Sequence, residues 1–126
     1  MEKYLELKEK IATLKPEDTH QYPLIQDLIA LNDDLADHPE LSGEEYESSR
    51  KIVELLKRKG FDVEYPFAGL PTSFKATYGR NDHKYKVAIM TEYDALPEIG
   101  HACGHNLICM IGVGAGIGLK EFADEY

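Results

Sequence analysis

Basic residues are the minority charge in this chain: 14 Lys and Arg stand against 23 Asp and Glu, for a net charge of −9. A nucleic acid or an anionic membrane needs a basic surface to bind, so neither is an expected partner, and the balance reads as that of a soluble protein. Cysteine is scarce. Cys103 and Cys109 are the only two, and a helix expected to begin near His105 sets them awkwardly for a disulfide. Without a disulfide framework the expected location is the reducing cytoplasm. The start of the chain, Met1-Glu2-Lys3-Tyr4-Leu5-Glu6, has no apolar signal core. Long hydrophobic runs are lacking too: the longest, from Leu107 to Leu119, is interrupted by glycine and too short to span a bilayer. There is no internal repeat and no low-complexity linker. The 126 residues suffice for one domain with a real core.

What is present alternates helical and strand patterns. Residues 2 to 14 carry a loosely amphipathic stripe through Leu5, Ile11 and Leu14, stopped by Pro16. Leu24, Ile25, Leu28, Leu31 and Leu35 have the spacing of one buried helix face, which predicts a helix from Tyr22 to Ala36, broken by His38-Pro39-Glu40. Ser42-Gly43-Glu44-Glu45 reads as a capping box. The helix it opens turns Tyr46, Ile52, Val53, Leu55 and Leu56 inward, and ends on Lys57-Arg58-Lys59 with Gly60 at the position past the C-cap. Three strands are expected: Phe61 to Tyr65, Ser73 to Tyr78 with Phe74, Ala76 and Tyr78 on one side, and Lys86 to Thr91, apolar enough for a central, buried strand. A turn at Asn81-Asp82-His83-Lys84 separates the last two. A final helix is predicted over 107–122. Its Gly112, Gly114, Gly116 and Gly118 each cost about 0.8–1 kcal/mol against alanine, so close approach to the sheet is their expected reason.

The chemistry concentrates in Glu92-Tyr93-Asp94-Ala95-Leu96-Pro97-Glu98-Ile99-Gly100-His101-Ala102-Cys103-Gly104-His105-Asn106. Polar, metal-competent groups at the mouth of a buried strand are costly unless something binds there. Cys103 and His105 offer a thiolate and an imidazole, both zinc ligands, and Gly104 lets the backbone turn both toward one point. Bland readings compete: Asp94 as a strand-end Asx-turn, Cys103 as an inert thiol, His105 as a helix N-terminal residue with a satisfied ring. His101 is a weaker ligand candidate. Glu92 and Glu98 read as solvated or hydrogen-bonding loop acids, Cys109 as a core residue, and His20, His38 and His83 as isolated. Cys103 and His105 lack the third, orienting group of a nucleophile and base pair. The glycine run lacks the strand-to-helix setting of a dinucleotide fingerprint, and Lys57-Arg58-Lys59 is a solvated helix end.

The Asp-Ala-Leu-Pro and His-Ala-Cys-Gly-His motifs, with His38-Pro39-Glu40-Leu41-Ser42 upstream, closely resemble the M20 family of metal-dependent amidohydrolases and peptidases. The branch resembled holds dipeptidases, N-acyl-amino-acid hydrolases and aminobenzoyl-glutamate hydrolases, and the likeness runs from about Leu24 onward. It implies the N-terminal part of an α/β catalytic domain: a mixed sheet flanked by helices, without the lid or dimerisation domain. The organisation expected is N-terminal helices over 1–60, strands and metal-site loop over 61–106, and a helix over 107–122. The resemblance assigns Cys103 and His105 to metal, a pair of zinc or manganese ions in complete members. It gives Asp94 an orienting role on a ligand and His101 a positional one.

The activity implied is hydrolysis of an amide bond in a dipeptide-like or N-acyl-amino-acid substrate. The family's general base, its remaining ligands and its further domain are not among these residues, and complete relatives are expected to be homodimeric. This chain alone is therefore expected to be nearly inactive: a fragment, a truncated product or a short homologue. A non-catalytic interaction module, one half of a split enzyme and a small metal-binding protein are the competing readings.

Overall fold

The computed structural model describes residues 22–125 except 81 and 83, together with 2, 5, 6 and 9. The helix expected over residues 2 to 14 lies outside the described residues apart from Glu2, Leu5, Glu6 and Glu9, which are helical, and His20 and His83 lie outside them altogether.

Helix α1 (Pro23–Asp37) opens with proline in its first turn, where a missing N–H and a preset φ do no harm. It ends on the His38 amide, which donates to the Asp34 carbonyl at 3.0 Å. Helix α2 (Tyr46–Arg58) buries Ile52, Val53, Leu55 and Leu56, as its pattern requires. Tyr46, expected inside, lies exposed on its first turn.

The cap of α2 also differs from expectation. Ser42 and Gly43 are taken up in a turn closed by the Glu44 amide on the Leu41 carbonyl, with Gly43 at φ +83°. The helix therefore starts later than a Ser42 cap would place it. Glu40 reaches in instead: its carboxylate accepts from the amides of Glu47 (3.1 Å) and Ser48 (2.7 Å), satisfying two of the donors a helix start leaves open. Glu45 is buried and accepts from the Gly43 amide at 2.9 Å and the Thr72 hydroxyl at 2.6 Å. At the other end Gly60 takes φ +86° past the C-cap. Its amide bonds to Lys57 and that of Phe61 to Leu56, a complete Schellman closure.

Strands β1 (Asp62–Glu64) and β2 (Lys75–Thr77) pair antiparallel, with Val63 opposite Ala76. The α/β class holds, but the sheet is two-stranded and antiparallel rather than mixed. The expected central strand from Lys86 to Thr91 is not formed. That stretch makes no ladder with any described residue, and Val87 and Met90 are 80% and 92% exposed. Strand character requires a neighbour to bond, and neither β1 nor β2 is that neighbour.

Helix α3 (His105–Glu125) starts two residues earlier than expected and lies along α1. Cys109, Met110, Val113 and Ile117 join Leu35, Ile52, Leu55 and Leu56 in one core cluster. Gly114 has a packing reason, since a Cβ there would lie 2.9 Å from the Leu28 side chain on α1; Gly112 would press on Thr91 at 3.0 Å. Both neighbours lie outside the sheet, contrary to expectation, and Gly116 and Gly118 have no neighbour within 4 Å. The run from Leu107 to Leu119, expected to be too short to span a bilayer, lies inside a longer helix, and by length and composition α3 is long and apolar enough to cross a membrane. Core helices pass the same test, and the buried face shared with α1 and α2 gives α3 a core role.

Candidate metal centre

The loop between residue 91 and α3 is pinned at several points. The Ala95 amide donates to the Glu40 carbonyl at 2.7 Å, fixing the loop beside the segment that caps α2. Leu96 and Gly100 exchange two backbone bonds, at 2.9 and 3.1 Å, around a turn with Glu98 at φ +67°. Gly104, at φ +82°, turns the chain into α3, a conformation a side chain would strain.

This path brings Asp94 onto His105, the first residue of α3. The Asp94 Oδ1 lies 2.8 Å from His105 Nδ1, and the Asp94 carbonyl 3.1 Å from the same nitrogen. On the far side of the ring Glu92 Oε1 lies 3.1 Å from Nε2. One ligand atom from each of the three falls within 4.8 Å of the others. The bond to Asp94, helped by the Glu92 charge, raises the His105 pKa above its ordinary value against an opposing effect of burial. Asp94 and His105 are half-buried while Glu92 is exposed, so the group opens to solvent on one side. The donor set suits a divalent cation: carboxylate and imidazole are hard to borderline ligands, and the group is open to solvent on one side.

Sequence reasoning named Asp94 and His105, and the structure brings them together. It did not name Glu92 as a partner, although residues two apart in an extended segment share a side; that was the available signal. Cys103 is exposed and stands outside the group of three. His101 is different again: both ring nitrogens are buried without a hydrogen-bond partner among the described residues. Burial pushes its pKa down, and neighbouring His105 acts in the same direction against Asp94. Cys109 is a core residue, its thiol pushed up to about 12 by burial.

No family model matches the chain. Comparison with known proteins nevertheless places it. It is 38% identical over 90 residues to a mouse (Mus musculus) Xaa-Arg dipeptidase, covering 65% of this chain and 21% of that protein. It is 32% identical over 111 residues to a p-aminobenzoyl-glutamate hydrolase polypeptide of Escherichia coli, covering 75% and 23%. An N-acetyl-L-cysteine deacetylase of Bacillus subtilis matches at 33% identity, covering 91% of this chain and 31% of its own length. The class these define is hydrolytic, and the chain belongs to the M20 family of metal-dependent amidohydrolases and peptidases. It spans about a fifth to a third of the length of these relatives.

Proposed function

We propose that this chain forms the metal-binding loop and part of the catalytic domain of an enzyme that hydrolyses the amide bond of a dipeptide-like or N-acyl-amino-acid substrate. The observation that carries this reading is the convergence of Glu92, Asp94 and His105 at the start of α3. The relatives' names, a dipeptidase, an aminobenzoyl-glutamate hydrolase and a deacetylase, share an amide substrate.

The geometry supports the following roles. Asp94 accepts the Nδ1 proton of His105, which fixes the tautomer and leaves the Nε2 lone pair free to ligate. Glu92, already on the Nε2 side, is placed to share the cation. Cys103 is the further ligand we propose; it lies between the glycine turns at Gly100 and Gly104, two residues before His105. When bound, zinc or manganese supplies Lewis-acid polarisation of the scissile carbonyl and a water of lowered pKa. The thiols being free supports a reducing, cytoplasmic setting.

Titration calorimetry of zinc and manganese into the purified chain tests the reading. Stoichiometric binding that His105→Ala abolishes supports it. Absence of binding in the parent chain, or binding indifferent to His105→Ala, refutes it.

A further inference from the structure

Tyr93 lies between the two acids of the metal centre, Glu92 and Asp94. In an extended segment, residues two apart share a side and the one between them takes the other. Glu92 and Asp94 meet His105, at 3.1 and 2.8 Å. Tyr93 meets different partners. Its ring stacks on Phe74, with centroids 5.9 Å apart and planes 18° from parallel, and its hydroxyl donates to the Thr72 carbonyl. Both rings pack against the core cluster.

The partners of Tyr93 are themselves held. Thr72 is buried, and its hydroxyl donates at 2.6 Å to the carboxylate of Glu45, the residue that immediately precedes α2. The turn that carries Thr72 is closed by the Phe67 amide on the Ser73 carbonyl at 2.9 Å and by the Ser73 hydroxyl on the Phe67 carbonyl at 2.6 Å. Burial raises the pKa of the Tyr93 phenol, so it keeps the proton it donates. The backbone of residues 92–94, by contrast, makes no backbone–backbone hydrogen bond among the described residues; the next one along the loop is the Ala95 amide on the Glu40 carbonyl. A shift of one position in an extended segment carries its side chains to the opposite face. The anchored Tyr93 side chain opposes that shift.

We propose that Tyr93 is a positioning residue: seated on Phe74 and Thr72, it turns Glu92 and Asp94 together onto His105. The part this gives Tyr93 in metal binding rests on the metal centre proposed above. Its hold on Asp94 and His105 can be read without metal.

Tyr93→Phe removes the hydroxyl and keeps the ring. Two measurements on the full chain test the proposal: the His105 tautomer by heteronuclear NMR of the metal-free chain, at a pH that keeps the ring neutral, and zinc affinity by calorimetry. Tyr65→Phe is the control, because the phenol bond it deletes, to Ser49 at 2.9 Å, involves no residue of the centre. The expected result is a single Nδ1–H tautomer in the parent and in Tyr65→Phe, a mixture in Tyr93→Phe, and zinc bound about tenfold more weakly by Tyr93→Phe alone. A single tautomer and parental zinc affinity in Tyr93→Phe overturn the proposal and leave the metal centre standing. Equal losses in Tyr65→Phe also overturn it, since they mark a general loosening of the fold. A parent that binds no zinc, with the tautomer still released by Tyr93→Phe alone, refutes the metal centre and upholds the hold of Tyr93 on Asp94 and His105.

Discussion

Asp94 holds His105 by two oxygens of one residue: the carboxylate at 2.8 Å and the backbone carbonyl at 3.1 Å both address Nδ1. A single nitrogen cannot donate fully to both, so the contact fixes the ring's plane as well as its tautomer. Asp94→Asn keeps the shape but admits the amide's N–H as a competitor, leaving the tautomer unspecified. Metal affinity should fall by about 10–100-fold, as it does when such an orienting partner is lost. Calorimetry measures this, and an unchanged circular dichroism spectrum separates it from misfolding.

The same pair sets a pH dependence. The folded-state pKa of His105 is raised, chiefly by the bond to Asp94. A raised pKa means the folded state holds the proton more tightly. Its stabilising contribution is fully present below the unfolded value of about 6.5 and is lost as pH rises through the raised folded value. Without metal, the stability advantage of the parent over His105→Asn should shrink across that window. Urea denaturation at several pH values reads this. Metal affinity should climb over the same window, because the proton on Nε2 must leave before a cation can take its place.

The two thiols should differ in reactivity. Cys109 is buried in the core and its pKa is pushed up to about 12, whereas Cys103 is exposed. A disulfide reagent at neutral pH should titrate one thiol in the folded chain and both after denaturation. If Cys103 ligates as proposed, zinc should slow the fast thiol; equal rates with and without zinc would remove it from the ligand set.

Glu40 caps α2 through its side chain and holds the metal loop through its backbone carbonyl. The two functions should separate. Glu40→Ala should destabilise the fold by about 0.5–2 kcal/mol, the usual range for a lost N-cap, and leave metal affinity close to that of the parent. Urea unfolding and calorimetry on the same variant check both halves.

Legibility in the sequence followed how local each determinant is. The helices stood out because a 3.6-residue apolar stripe and a terminal Gly60 act over a few positions. The α2 cap was misplaced because Ser42 fits the local pattern, yet the turn at Leu41–Glu44 occupies it and hands the role to Glu40. Lys86–Thr91 reads as a central strand because its composition reports burial, but a strand exists only beside its neighbours, and those are nonlocal. That Asp94 and His105 belong to one site was implied by the motif's resemblance, whereas which ligand Asp94 meets and the approach of Glu92 depend on how the loop enters α3. The outward placement of Cys103 depends on the two glycine turns around it, which spacing alone does not specify.

The most direct test of the metal centre is the X-ray absorption spectrum of the chain loaded with one equivalent of zinc. The account predicts a first shell of nitrogen and oxygen at about 2.0–2.1 Å that includes a single imidazole, with one sulfur at about 2.3 Å if Cys103 joins. A shell that keeps its imidazole signal in His105→Ala, or that consists of sulfur alone, would contradict it.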